Sequence, residues 1–242
     1  DRTLVTSPTD RETLQALAAT AHIGDIGDKI QVVPNGVDLD YFAPDAASRL
    51  PATIVLTGKM SYHANVTAAQ QLVKEIMPQV WARRPDVRVW IVGKDPASEV
   101  MALADGTERV WISGTVPDLR PYLQQATLAV APVPYGAGIQ NKVLEAMACG
   151  APVIASQQAV SALHAVDGRD LLVARHPAEF AEQILSLLDN PTRSADLGQA
   201  GRAYVERHHA WPSIGNKLEQ LYVDLLRTSP MPVAPATSAV PL

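Results

Sequence analysis

The sequence predicts a doubly wound α/β fold, six parallel strands in one sheet with helices on both faces, on three observations. Six short apolar runs recur from Thr53 onward, segments of helical period separate them, and each run is near-continuous Val, Ile and Leu rather than alternating with polar residues. A strand buried on both faces needs such a run, and right-handed crossovers between parallel strands place helices on both sides of the sheet.

In chain order, residues 4–7 read as a strand already under way behind Asp1, which leads to the expectation that the chain starts inside a longer parent. A short helix is expected over residues 10–21 and an apolar strand over 29–33, stopped by Pro34-Asn35-Gly36. Residues 45–51 read as a polar, Ala-rich joint. The six strands are expected at 53–57, 87–92, 109–112, 128–131, 152–155 and 171–173. Between the first two, residues 64–82 carry Val66, Ala69, Leu72, Val73, Ile76 and Val80 at helical spacing, which gives an apolar face able to cover the sheet. Past the sheet, helices are expected over 177–188 and 192–208, divided at Asn190-Pro191, and a last amphipathic helix opens at Trp211-Pro212 and runs through Leu226. The tail from Thr228 holds Pro230, Pro232, Pro235 and Pro241 among small residues and reads as a flexible end. Trp81, Trp90 and Trp111 fall in apolar segments and are expected in the core.

With 242 residues, 47% hydrophobic and 19% charged, the chain is long enough for a full core, and wholesale disorder is disfavoured. Its 20 basic and 25 acidic residues leave a net charge of −5, and the basic side chains are scattered, which argues against a nucleic-acid partner. Cys149 is the sole cysteine, so neither an internal disulfide nor a cysteine-built zinc site can form, and a reducing compartment fits. It reads as a small buried filler. No apolar run reaches the length of a membrane span.

In open parallel sheets ligands bind beyond the carboxyl ends of the strands, so the loops that matter start near Gly58, Gly93, Gly114, Val133 and Ser156. The densest signal is residues 134–155, in which a glycine-bearing loop with Gly136 and Gly138 leads into a helix expected to start near Ile139 and stop at Gly150. A helix N-terminus offers unpaired N–H groups and the positive end of its dipole, which suits a phosphate. Lys142 and Glu145, three residues apart, share a face, and Glu145 lies about one turn, roughly 5 Å, past the N-terminus, where a carboxylate can accept from both hydroxyls of a ribose. On spacing alone a surface ion pair is the commoner reading of these two residues, because a lone glycine-rich loop is a weak signal. His63 reads either as facing a ligand or as a solvent-exposed loop residue, and His208-His209 as a helix cap rather than a metal site. No Gly-x-Gly-x-x-Gly accompanies Gly58, which removes the support for a nicotinamide-dependent oxidoreductase.

Residues 139–155, with Glu145-Ala146-Met147-Ala148-Cys149-Gly150-Ala151-Pro152-Val153-Ile154-Ala155, resemble the signature of the family 4 retaining glycosyltransferases, and Val33-Pro34-Asn35-Gly36-Val37-Asp38 resembles the phrase at the join between that family's two domains. More narrowly, residues 138–145 are similar to bacterial sugar transferases that accompany exosortase and exopolysaccharide gene clusters. The resemblance implies a Rossmann-like C-terminal, donor-binding domain of the GT-B fold over residues 35–210. It further implies a remnant of the acceptor domain over 1–34, a helix crossing back toward that domain over 211–227, and a tail over 228–242.

The same resemblance implies a nucleotide diphosphate sugar as donor, no cofactor or metal, a glycan or lipid-linked acceptor met through a missing N-terminal domain, and a cytoplasmic location with peripheral membrane contact left open. Carried over by position, it implies that Glu145 binds the ribose and that the backbone at Gly138, Ile139, Gln140 and Asn141 receives the diphosphate. Gly58 ends the first strand, Thr115-Val116-Pro117 lie beside the base, and Lys59 and Lys142 act on the departing phosphate. Lys59 stands where the family usually has an arginine, Ala137 where it has a first acid, and Ala64 near where it has a second basic residue, whose charge Lys142 would replace. A truncated chain of this kind is expected to be inactive alone, and the alternative is a noncatalytic nucleotide-sugar-binding module.

Overall fold

A computed structural model of the chain describes residues 2–45, 49–136 and 138–228. The tail 229–242 and Ala137, both of which figure in the reading above, lie outside the described residues.

The first elements form a small unit of their own. Strand β1 (Thr3–Val5), helix α1 (Pro8–Thr20) and strand β2 (Ile30–Val32) make a parallel two-stranded sheet with one crossover. The opening strand is shorter than expected and the helix starts earlier, because Ser7 accepts from the Asp10 N–H as the N-cap and Pro8 takes the first helical position.

The main sheet holds β3 (Thr53–Thr57), β4 (Arg88–Val92), β5 (Val110–Ile112), β6 (Leu128–Ala131), β7 (Val153–Ser156) and β8 (Leu172–Ala174), all parallel, in the order β5-β4-β3-β6-β7-β8. Helices join them: α2 (His63–Gln71) and α3 (Met77–Trp81) after β3, then α4 (Ser98–Met101), α5 (Arg120–Gln125), α6 (Asn141–Ala148) and α7 (Gln157–Val160). Helices α8 (Pro177–Asp189), α9 (Pro191–His208) and α10 (Trp211–Thr228) complete the chain. Successive strand residues face opposite sides, so Ile54 and Leu56 belong to one apolar cluster with Leu72, Ile76, Val89, Ile91 and Ile184, and Val55 to another with Val143, Leu144, Met147 and Val205. Each of these side chains is essentially shut off from solvent, which contributes about 1.5–3 kcal/mol apiece.

Three expectations need correction. The helix over 64–82 forms without a break over 63–81 but is not a regular α-helix: a π turn over Leu72–Ile76 lies between α2 and α3, because Pro78 has no N–H to give and its ring crowds the preceding turn. Helix α6 starts two residues later than Ile139, since Gly138 has φ 76° and Gln140 is extended, so Gly138 and Ile139 belong to the loop. Trp111 is 43% exposed and not in the core, and Trp81 and Trp90 are half-buried. Strand β5 is the sheet edge, where Trp111 stacks on Tyr122 of the short helix α5 with ring centroids 5.5 Å apart.

Candidate functional site

The order in which strands are added reverses between β3 and β6: β4 and β5 extend the sheet one way, then β6, β7 and β8 the other. The loops beyond such a switch point diverge and leave a crevice at the carboxyl ends of the strands. There a cleft of about 400 Å³ is lined by Gly58 and Lys59 after β3, Gly93 and Lys94 after β4, Thr115, Val116 and Leu119 before α5, and residues 139–142 with Glu145 around the start of α6. Tyr62 and Asn65 complete it from the α2 side. Its size falls in the range that holds a small-molecule ligand.

Nine of the eleven residues singled out from the sequence therefore share one wall system: Gly58, Lys59, Thr115, Val116, Ile139, Gln140, Asn141, Lys142 and Glu145. Pro117 and Gly138 do not line it. A Cβ at Gly138 would instead meet Thr6 of the small N-terminal unit at 4.0 Å. His63 is exposed at the start of α2 and stacks on Tyr135, with centroids 5.2 Å apart, so its neighbour Tyr62 faces the cleft in its place. His209 is buried at the C-cap position of α9, but its ring ties the helix end to the loop after β2 rather than capping helix carbonyls: Nδ1 is 2.8 Å from the Asn35 carbonyl and Nε2 3.3 Å from the Tyr204 hydroxyl. Among the described residues no group of His, Cys, Asp and Glu is placed to hold a metal ion. Cys149 is fully buried, and burial pushes its thiol up to about 12, so it is no nucleophile near neutral pH.

Helices α1, α7, α8 and α9 are capped by the side chains of Ser7, Ser156, His176 and Asn190, whereas α6, like α2 and α5 beside the same cleft, starts without a side-chain cap: the Gln140 side chain makes no capping bond. The amides there stay available to a ligand in the cleft. Asn141 is held from the side by Asn35, whose Nδ2 donates to Asn141 Oδ1 at 2.9 Å, which ties the loop after β2 to this helix start.

Lys142 and Glu145 are not a surface ion pair. Both are half-buried and both face the cleft. Desolvation lowers Lys142 to about 8, opposed by the charge of Glu145, and desolvation raises Glu145, opposed by the charge of Lys142. Among the described residues the Glu145 carboxylate accepts no hydrogen bond, so its lone pairs await donors from elsewhere. Lys142 Nζ donates to Asn65 Oδ1, and Asn65 Nδ2 donates to the Lys59 carbonyl at 2.9 Å. Sequence reasoning missed Asn65, Tyr62 and Lys94. Nothing in their spacing marks them, because Tyr62 and Asn65 reach the cleft from the β3–β4 crossover and Lys94 from the one after β4, both remote in sequence from the glycine loop.

A lysine whose folded value of about 8 lies below its ordinary 10.5 carries a folding cost that is fully present below pH 8 and relieved as pH rises through 8 toward 10.5. Lys142→Met is therefore expected to stabilise the chain at pH 7 by about 1–2 kcal/mol, after about 1 kcal/mol is lost with the Asn65 hydrogen bond. The gain should shrink by pH 10. Urea unfolding at the two pH values checks this, and an equal gain at both would show that burial of the ammonium is not the cause.

A family model described as "Glycosyl transferases group 1" matches residues 51–190. A GDP-mannose-dependent monoacylated alpha-(1-6)-phosphatidylinositol monomannoside mannosyltransferase of Corynebacterium glutamicum is 30% identical over 208 residues, 78% of this chain and 55% of that protein. A D-inositol 3-phosphate glycosyltransferase of Arthrobacter sp. is 30% identical over 79% of this chain and 49% of its own length. Among solved structures, the sucrose-phosphate synthase of Thermosynechococcus elongatus superposes with a TM-score of 0.72 at 28% identity, over 93% of this chain and 58% of that one. The chain spans about half the length of the curated relatives it matches. The six-stranded sheet is that of its GT-B glycosyltransferase neighbours. With the family model covering residues 51–190, more than half of the chain, this protein belongs to the glycosyl transferases group 1 family.

Proposed function

We propose that the cleft binds a nucleotide diphosphate sugar and that the chain is the donor-binding portion of a retaining, family 4 type glycosyltransferase. The observation that carries the reading is the convergence on one cleft at the switch point of an α6 N-terminus without a side-chain cap, Lys59 from the loop after β3, Lys142 from α6, and the Glu145 carboxylate, which accepts no hydrogen bond among the described residues. The diphosphate would lie between Lys59, Lys142 and the amides of residues 139–142, with Glu145 taking the ribose hydroxyls and Thr115, Val116 and Leu119 beside the base. Charge building on the leaving phosphate would be stabilised by groups already in place, so little reorganisation is needed. These residues bind and polarise without a metal or cofactor. The acceptor is a glycan or lipid-linked sugar, of which the phosphatidylinositol monomannoside in the name of the Corynebacterium glutamicum relative is an example. A role in exopolysaccharide or other cell-surface glycan synthesis, at the cytoplasmic face of a membrane, fits the narrower resemblance of residues 138–145.

Calorimetry with UDP, GDP, their hexose conjugates and the free nucleosides tests this. At least one diphosphate should bind clearly tighter than its nucleoside, and Lys59→Ala or Lys142→Ala should abolish most of that difference. Equal affinity for diphosphate and nucleoside would sink the reading. The 242-residue chain is expected to bind donor but not to sustain transfer, because the described residues ahead of the main sheet, 3–32, form one small two-stranded unit and not a second domain facing the cleft. Saturable transfer to a defined acceptor by this chain would overturn that expectation.

A further inference from the structure

We infer that Asn65 is a positioning residue of the donor cleft: its carboxamide, locked to the Lys59 backbone, holds the Lys142 ammonium beside Gly58, so one side chain of α2 aligns both lysine-bearing loops. This rests on the donor-cleft reading for its purpose, but not for its geometry. Asn65 is only 6% exposed, and both ends of its amide are engaged, Nδ2 with the Lys59 carbonyl at 2.9 Å and Oδ1 with Lys142 Nζ. A buried amide with both ends satisfied holds one orientation, since a flip would set donor against ammonium and acceptor against carbonyl. Gly58 leaves room for the arrangement: a Cβ there would stand 2.7 Å from Asn65 Nδ2 and 3.2 Å from Lys142 Nζ.

Among the described residues Asn65 Oδ1 is the only acceptor of Lys142, so the ammonium is fixed by one bond and keeps its other protons for a ligand. The other charged side chains of this cleft are Glu145 on α6, Lys59 after β3 and Lys94 after β4. Only Glu145 favours the charged lysine, so the neutral acceptor on α2 decides how firmly the ammonium is held. Lys142 thus stands on α6 but takes its position from α2, which is how a basic group can serve this loop although position 64 is a buried alanine.

The test titrates Lys142 in the ligand-free 242-residue chain, through the side-chain carbon signal that Lys142→Arg removes, in wild type, Asn65→Asp and Asn65→Leu. The aspartate keeps the size, gives up the Nδ2 bond to the Lys59 carbonyl and adds a charge facing the ammonium, and the midpoint should rise by more than one pH unit. Leucine removes the acceptor, and the midpoint should fall. Asp variants that fold carry the test if leucine is not tolerated. In parallel, UDP and GDP binding should weaken about tenfold in Asn65→Leu while nucleoside binding stays unchanged, and Asn65→Asp should recover part of the loss. A Lys142 midpoint common to all the folded proteins overturns the proposal, whatever the cleft binds. A midpoint that moves in a chain that binds neither diphosphate upholds the Asn65–Lys142 coupling and removes the donor-cleft reading instead.

Discussion

Replacing Gly93 by alanine is expected to destabilise the chain by about 3–5 kcal/mol, a large part of the stability of an ordinary domain. Gly93 follows β4 directly with φ 154°, and a Cβ there would run far inside van der Waals contact with the Gly58 carbonyl oxygen. The obstacle is backbone rather than a flexible side chain. Gly58 is itself pinned by its N–H donating to the Val92 carbonyl at 3.1 Å, and Gly93 by its N–H donating to Ser113 Oγ at 3.2 Å. The strands behind them are in register through Thr57 and Val92, so neither loop can retreat without opening the β3–β4 pair beneath the cleft. Gly106→Ala is the control: φ is 71° there, yet a Cβ meets nothing within 4 Å, so only the conformational cost of about 1 kcal/mol remains. Urea unfolding of both variants separates the causes. A Gly93→Ala loss no larger than that of Gly106→Ala would mean that the two glycine loops yield easily, and the cleft floor would not be rigid.

Glu145→Gln is expected to weaken binding of UDP or GDP by about 1–3 kcal/mol, the range for losing a charge-assisted hydrogen bond, while leaving pyrophosphate binding little changed. The amide is nearly isosteric, and the wild-type carboxylate accepts no hydrogen bond among the described residues, so the protein loses no bond of its own, only the charge that opposes the lowering of Lys142; the comparison is therefore made at pH 6.5, where the lysine stays protonated. The ligand loses an ionised acceptor for its ribose hydroxyls. Burial raises Glu145 above the usual carboxylate range, and ribose donors favour the ionised form, so wild-type affinity should fall as the solution is acidified through that raised value. This acid-side loss should vanish in Glu145→Gln. Unchanged affinity of the variant for the complete nucleotide would remove the ribose role.

What the sequence determined by itself was whatever is decided locally. The six Val, Ile and Leu runs are strands because near-continuous apolar runs suit a sheet covered on both sides, and Asn190-Pro191 divides α8 from α9 because asparagine caps and proline can only begin a helix. The loop and helix of residues 138–150 were legible for the same reason, since glycine loop, lysine and glutamate lie within one segment. The tertiary structure decided what depends on strand order and crossover direction. Trp111 is half in solvent because β5 is an edge, which no pattern within 109–112 can encode. The ion pair that Lys142 and Glu145 would form on an isolated helix gives way to a buried arrangement because β3 and β6 are neighbours, which brings Asn65 to Lys142 across 77 residues of sequence. Burial then moves both titrations, lowering the lysine and raising the glutamate. Local spacing shows which residues share a helix face; desolvation and long-range hydrogen bonds, which arise only once the sheet is assembled, decide what that face can do.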